Sequence, residues 1–579
     1  MLYQLSYAHH EKEARIVYGG PPTWSTRTDG GAGPTGSGNG QTWAGKRDNL
    51  ERLQALIRKE NLRAMTRIES GFKPVGLWAA LAALLAWSSL GLTEEAVPSD
   101  QSRRIARQAV TGYAGAAIDT LADLVGFKTV HQEGVENATH PEFVAMKAYL
   151  RTKAEELGFD FADHGAVMLI GLGQAEARIG VVTHGDVQPA EASKWARDPF
   201  SLDRDSEPGR LVGRGAEDDK GPMACALYAM KALKDSGRPL KRRIELIVAL
   251  TEESDWDPFR AFLKNYDPPE INVAFDANYP VVVAEKGWGD FQLALPLEAD
   301  APAGTAAYLA ELDGGAFLSQ VPETARALIR NATPELEAAL RQAIQQDSSV
   351  RYELHRDGDR IELAARGVSA HSAEPWNGRN AITHLAALLG RFDWPATAPA
   401  RMVGLINDLV GTGDYAERFG ELAYDHPFMG RLTLTLAQVE PKDGKLVAGL
   451  SLRRPAGRTK EQVERSIERA VESWKRSNDA AELELTMRIL DPYLLEDYEK
   501  TPHVPVLLSV FRHYTDLQDA KAISMGGGTN ARLLPGGVSF GPAMPGAVYS
   551  GHSEHEFIGR EQLLLNLEMY TAALAELAL

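Results

Sequence analysis

An α/β fold with a mostly parallel sheet, helices on both faces and an α+β insertion is predicted by three features of this 579-residue chain. Apolar runs that read as buried strands end at Thr183 (ARIGVVT), Leu250 (RRIELIVAL) and Phe275 (INVAF), and they alternate with helical patterns, which is the signature of a parallel sheet. A different texture begins near Gly289 and lasts about 200 residues. Acidic and histidine residues cluster just beyond the strand ends, where an α/β sheet collects its functional loops.

Each element has its own warrant. A helical pattern runs from Arg103 to Gly126, and another follows the DDKG turn from Met223 to Leu233. In the insertion, RYELHRDGDRIELAARG joins two alternating runs around Asp357 and Gly358, a hairpin signal. LVAGLSLRR places Leu446, Ala448, Leu450 and Leu452 on one strand face and Val447, Ser451 and Arg453 on the other. The next helix opens on a capping-box pattern, Thr459 to Gln462, and carries Val463, Ile467, Val471 and Trp474 as its apolar stripe. Strand ELELTMRIL closes the insertion. The expected division is residues 100–288 and 499–579 for the α/β part and 289–498 for the insertion.

The first 92 residues differ from the rest. Nine glycines and three prolines in residues 19–45 cannot bury enough apolar surface to offset their ordering entropy, so residues 1–64 are expected to be disordered or an over-extended reading frame. Residues 65–92 have the layout of a secretory signal: Arg67 and Lys73 precede an apolar run from Leu77 to Ala86, and small residues follow. The expectation is translation from Met65 and an exported product. A membrane anchor is the alternative, because the charge-free run Val75 to Leu92 borders on spanning length, and a buried helix in a cytoplasmic protein is another.

Composition excludes several classes of function. With 62 basic against 79 acidic residues, the net charge of −17 disfavours nucleic-acid and anionic-membrane surfaces, so no nucleic-acid partner is expected. The single cysteine, Cys225, rules out an internal disulfide and a thiolate metal site. Any metal is therefore held by nitrogen and oxygen.

Five segments offer such ligands: His184 in THGDV, Asp218 in GRGAEDDKGP, Glu252 and Glu253 in LTEES, Asp276 in FDANYP and His552 in SGHSEHE. Two carboxylates ending a buried strand, Glu252 and Glu253, need neutralising, and divalent cations would do it. Neighbours on a strand face opposite ways, so one of this pair can bind metal while the other faces a water. Asp186, two residues after His184, is expected to hold the imidazole with its carboxylate. An isolated HxD is more often a hydrogen-bonded loop, and an acidic run more often a solvated turn; the set of five is what carries the reading. HSEHE is not the HExxH pattern, and His555 has no assigned role.

THGDVQP, GRGAEDDKGP, TEES, FDAN, GVSAHSAEPWNGRNA, GGGTNAR and GHSEHE, in this order over roughly residues 105–579, resemble the M20 metallopeptidase family, and within it the monomeric dipeptidases similar to peptidase V. The resemblance implies a catalytic α/β domain interrupted by a lid domain, two divalent ions, a small peptide substrate and a monomer. It implies metal ligation by His184, Asp218 as the bridge, Glu253, Asp276 and His552. It also implies Glu252 as general base, His371 of GVSAH as the lid histidine that polarises the scissile carbonyl, and Arg453 with Gly527, Thr529 and Asn530 of the GGGTN loop as the carboxylate site. The family's RYP is RRP here, so the chain departs from the family pattern at the residue after Arg453. Ligands without thiolate permit Zn, Mn or Co, with Zn favoured by affinity order. N-acyl amino acid deacylase or carboxypeptidase activity is the alternative within the family, and a non-catalytic binding protein on the same scaffold lies outside it.

Overall fold

The computed structural model describes residues 97–297, 304, 306–547 and 549–579. The glycine-rich and signal-like segments of the first 92 residues lie outside these. Among the described residues no helix is long and apolar enough to cross a membrane.

Helix α1 (Asp100–Val125) starts where the Ser99 hydroxyl accepts the Ser102 amide. Helix α2 (Pro141–Leu157) has proline in its first turn and ends at Gly158, whose φ of 73° is left-handed. Then follow β1 (Asp160–Asp163), β2 (Val167–Leu172), β3 (Arg178–His184), α3 (Lys220–Asp235), β4 (Arg243–Ala249), α4 (Asp257–Leu263), β5 (Ile271–Ala274) and β6 (Val282–Glu285).

From Gly287 the chain builds a second sheet. Its strands are β7 (Gly287–Pro296), β8 (Tyr308–Gly314), β9 (Thr324–Arg330), β10 (Arg351–Asp357), β11 (Arg360–Arg366), β12 (Thr433–Lys442), β13 (Lys445–Arg454) and β14 (Glu484–Ile489). They are antiparallel throughout, in the order β10-β11-β9-β8-β12-β13-β7-β14. The hairpin expected at Asp357–Gly358 forms, with Asp357 opposite Arg360 and Gly358 at φ 60°. So does the capping box, Thr459 with Gln462, on helix α5 (Lys460–Ser477), whose Val463, Ile467, Val471 and Trp474 are buried.

The chain then returns to the first sheet with β15 (Tyr493–Leu494), β16 (Ile523–Met525) and β17 (Val538–Ser539), and ends on helix α6 (Arg560–Ala578). That sheet runs β1-β2-β4-β3-β5-β17-β6-β15, with β16 also beside β6. Its centre, β4-β3-β5-β17, is parallel, and β1, β2 and β15 are antiparallel flanks. Since β15 already pairs with β6, the first sheet resumes at 493, ahead of the 499 expected from texture. The two crossovers run side by side: a Cβ on Gly287 would lie 2.4 Å from the Leu490 carbonyl oxygen, so only glycine fits this approach.

Helices cover both faces of the first sheet unequally. Ile179, Val181, Ile244, Leu246 and Val248 meet the long helices α1, α2, α3 and α6 in the main core. Val182, Ile247, Ala249 and Ala274 meet only short pieces on the other face, around Phe259, Ala531 and Leu534. Side chains alternate across a strand, so one apolar run supplies both layers. Leu246→Ala, which empties a fully buried position in the thicker core, is expected to cost about 2–5 kcal/mol of stability, measured by urea denaturation of the metal-loaded protein.

Candidate metal centre and active-site cavity

His184 is the last residue of β3, Glu252 and Glu253 follow β4, and Asp276 follows β5, so three parallel strands deliver their polar ends to one place. The fourth contributor, Asp218, precedes α3. His552 comes from a loop before α6 and holds a left-handed φ of 63°, uncommon for a residue with a side chain.

Asp218 sits between the histidines. Its Oδ1 lies 2.8 Å from His184 Nε2, and its Oδ2 lies 3.1 Å from His552 Nε2. Asp276 Oδ1 is 3.6 Å from His184 Nε2, and Glu253 Oε1 is 3.0 Å from His552 Nε2. His184 Nδ1 faces the Asp186 carbonyl at 2.9 Å and must donate to it, which leaves the Nε2 lone pair aimed at carboxylates. Two acceptors that close need a cation or a proton between them. Without an ion, Asp276 and Asp218 outweigh burial and hold His184 well above its ordinary value, while Glu253 and Asp218 push His552 up to about 10. Asp218 is held well below the carboxylate range, because its hydrogen bonds to the two histidines overcome its burial.

The donor set fits divalent ions. His184, Asp218 and Glu253 offer ligand atoms all within 4.8 Å of one another, as do His184, Asp219 and Asp276. Glu252 adds a buried Oε1 with no hydrogen-bond partner, and burial followed by Asp276 holds its carboxyl well above its usual value. Asp219 likewise has a buried, unpartnered Oδ1. Oxygen and nitrogen donors of this kind accept Zn, Mn or Co.

Asp186 corrects one expectation. Its carboxylate is 3.7 Å from His184 Nδ1, outside hydrogen-bond range, and its backbone carbonyl orients the ring instead. The carboxylate accepts the backbone amides of Glu252 at 3.1 Å and Glu253 at 3.0 Å, and so fixes the TEES loop. A second clasp passed unnoticed in the sequence. Glu556, the last glutamate of SGHSEHE, accepts the amides of Glu217 and Asp218 at 3.0 and 3.1 Å and pairs with buried Arg214 at 2.8 Å. Glu217 in return accepts the amide and hydroxyl of Ser550, both at 2.6 Å. Tyr549 donates to the same Asp218 oxygen that faces His552. The signal for Glu556 and Tyr549 was their place within four residues of His552. His555 is on the surface beside Glu207.

A cavity of about 420 Å³ opens beside this centre. His371, from the second-sheet part, reaches into it, with its ring centroid 5.2 Å from that of His552. Its Nδ1 accepts the Ala373 amide at 3.1 Å, and burial followed by the charge of His552 keeps the ring neutral, so Nε2 carries the hydrogen. Arg453, on β13, lines the cavity; its contact is the Ser372 hydroxyl at 3.4 Å, its Nε is unpartnered, and burial pushes the guanidinium down to about 10. Arg454, the next residue, turns away from the cavity to Asp491 at 2.8 Å and the Leu490 carbonyl at 3.1 Å.

The GGGTN expectation needs revision. Gly527 lines the cavity, but Thr529 commits its hydroxyl and amide to Glu285, at 2.8 and 3.1 Å, and caps the turn Asn530–Leu533. Asn530 is 2% exposed and does not line the cavity. Thr529 serves the turn rather than a ligand, whereas both polar atoms of the Asn530 amide are buried without a hydrogen-bond partner.

The family model for peptidase family M20/M25/M40 matches residues 180–576. The candidate dipeptidase YtjP of Bacillus subtilis (strain 168) is 31% identical over 426 residues, covering 72% of this chain and 86% of its own. The Beta-Ala-Xaa dipeptidase of Lactobacillus delbrueckii subsp. lactis is 28% identical over 475 residues, covering 80% and 96%. The crystal structure of human carnosine dipeptidase 1 shares the fold with a TM-score of 0.51 at 16% identity, covering 83% of this chain and 99% of that one. The chain belongs to peptidase family M20/M25/M40 and is a metal-dependent hydrolase acting on peptide bonds.

Burial raises Asp186 and Asp276 to about 6 and Glu217 to about 7. A carboxyl whose folded pKa exceeds its unfolded one stabilises the fold fully below the unfolded value and loses that contribution as pH rises through the folded one. Chelator-treated protein is therefore expected to lose stability between about pH 4 and 7, while a bound divalent ion removes the loss. Urea midpoints across this interval, with and without chelator, check it; a metal-free midpoint that rises with pH contradicts it.

Proposed function

We propose that the protein is a dipeptidase with a dinuclear metal centre, and that the second-sheet part, residues 287–489, acts as its lid. The observation that carries this reading is Asp218, whose two oxygens face the two histidines, an arrangement that supports two ions sharing one carboxylate. His184 and Asp276 would hold one ion, and Glu253 and His552 the other. When bound, such ions lower the pKa of a water and polarise a carbonyl.

The chain's own groups do the rest. Glu252, unpartnered and raised, takes a proton from the attacking water and delivers it to the amide nitrogen as the C–N bond breaks. His371 donates from Nε2 to the carbonyl oxygen as negative charge develops there. Arg453 accepts a free carboxylate, the partner its guanidinium lacks, and thereby sets the distance from the carboxyl terminus to the scissile bond. Because His371 meets His552 within one chain, the site needs no second subunit, which supports a monomer. Zinc is the favoured ion on affinity order. The signal-like residues 65–92 support export.

Metal-reconstituted protein assayed against dipeptides, tripeptides and N-acyl amino acids tests the reading. Cleavage of dipeptides that fails on longer peptides supports it, preference for N-acyl amino acids replaces it with deacylation, and full turnover in verified metal-free protein sinks it.

Glu252→Gln is expected to retain metal and lose roughly 10² to 10⁴ in kcat, whereas Glu253→Gln loses metal. Metal analysis beside single-turnover kinetics separates the two, and exchanged phenotypes would reverse the assignment. Arg453→Ala is expected to raise KM and lower kcat/KM for dipeptides by several kcal/mol in transition-state terms, with metal content unchanged. Amidated dipeptides should be poor for the parent protein and nearly equally poor for the variant; additive losses in this cycle would show that Arg453 does not meet the carboxylate.

A further inference from the structure

A second arginine shares the cavity with Arg453, and its contacts reach beyond the site. Arg532 follows the glycine loop, lines the cavity and has a side chain only 10% exposed. Its Nη1 donates to the Lys286 carbonyl at 3.3 Å, and its Nη2 donates to the Asp491 carbonyl. Those carbonyls belong to the two crossovers between the sheets, one leaving the first sheet after β6 and the other returning after β14. One guanidinium therefore holds both connections. Gly528 lies against it, since a Cβ there would be 3.2 Å from Nη1 and 3.3 Å from the Trp256 ring.

The charge of Arg532 is answered by one long ion pair, with Glu285. Glu285 Oε2 is 3.8 Å from Nε, beyond hydrogen-bond range, and both Glu285 oxygens already accept from Thr529. Its direct partners are neutral carbonyls. Arg453 has no ion pair among the described residues, and the charge of Arg532 adds to the burial that depresses it. Two buried guanidiniums facing one cavity call for an anion, and a buried charge without one is costly.

We propose that Arg532 is a positioning residue that couples a free carboxylate in the cavity to the placement of the two crossovers. A carboxylate shared by Arg453 and Arg532 supplies a second anion beside Glu285, and Arg532, drawn to it through its planar fork, stiffens both carbonyls it holds. Closure over the metal centre is then reported to, and set by, the same end of the substrate that limits its length. This inference rests on the dipeptidase reading above.

Hydrogen–deuterium exchange on the metal-loaded full chain tests it, using a phosphinic analogue of Ala-Ala with a free carboxylate and the same analogue as its C-terminal amide. The acid is expected to slow exchange at residues 285–288 and 489–493 in the parent protein, and the amide is not. In Arg532→Ala the acid still binds at saturating concentration, roughly 5- to 150-fold more weakly, but no longer slows exchange at those segments. A purely structural arginine would loosen the crossovers equally with and without the probe, so the difference between the two states is what counts. Arg532→Lys, which keeps the charge and loses the fork, gives the same comparison should the alanine variant fail to fold. Equal protection by acid and amide, or undiminished protection in both variants, overturns the inference while dipeptide hydrolysis by the parent protein leaves the functional reading standing; absence of dipeptide hydrolysis overturns both.

Discussion

Negative charge gathered in a buried place is the constraint from which the rest of this structure follows. Asp218, Glu252, Glu253 and Asp276 converge where β3, β4 and β5 end, with Asp186, Asp219, Glu217 and Glu556 directly behind them. Arg214, Lys220 and, across the cavity, Arg453 are buried cations nearby, too few to neutralise the set. Carboxylates so placed either take up protons or bind cations. Two histidines with lone pairs turned inward make cations the better solution.

Such a centre works only if its ligands cannot relax away from one another, and much of the surrounding polar structure serves that end. Asp186 grips two successive amides of the TEES loop, and Glu556 grips two successive amides of the loop that carries Asp218. Glu217 ties that same loop back to Ser550, two residues before His552. Each grip is a charge-assisted hydrogen bond from a buried carboxylate to backbone, strong enough to hold loop against loop. The ligands thus inherit their spacing from backbone restraints rather than from the ion alone.

The second sheet contributes what the first cannot. His371 and Arg453 enter the cavity from it, while the ligands and Glu252 come from the first, so the reacting groups face each other across the junction. Gly287 packed against Leu490, Arg454 on Asp491 and Arg532 on both crossovers concentrate the contacts of that junction in a narrow strip.

Much was legible in the sequence, because strands buried on both faces must be apolar and their ends must turn polar. That rule placed His184, Glu252, Glu253 and Asp276 at strand ends, whereas Asp218 and His552 lie on loops before helices and were named through their motifs; period-2 and period-3.6 patterns located β13, the hairpin and α5. The role of Asp186 was misread, since spacing tells which side a residue faces and not whether its carbonyl or its carboxylate arrives first. The resemblance points Thr529 toward substrate, but a buried Glu285, 244 residues away in the chain, claims its hydroxyl. Glu556 and Arg532 act through backbone groups far off in sequence, and no local pattern records such a partner. The chain by itself determined which residues must be buried and which must carry charge; only the tertiary structure decided which charge meets which amide, because that depends on distances between segments hundreds of residues apart.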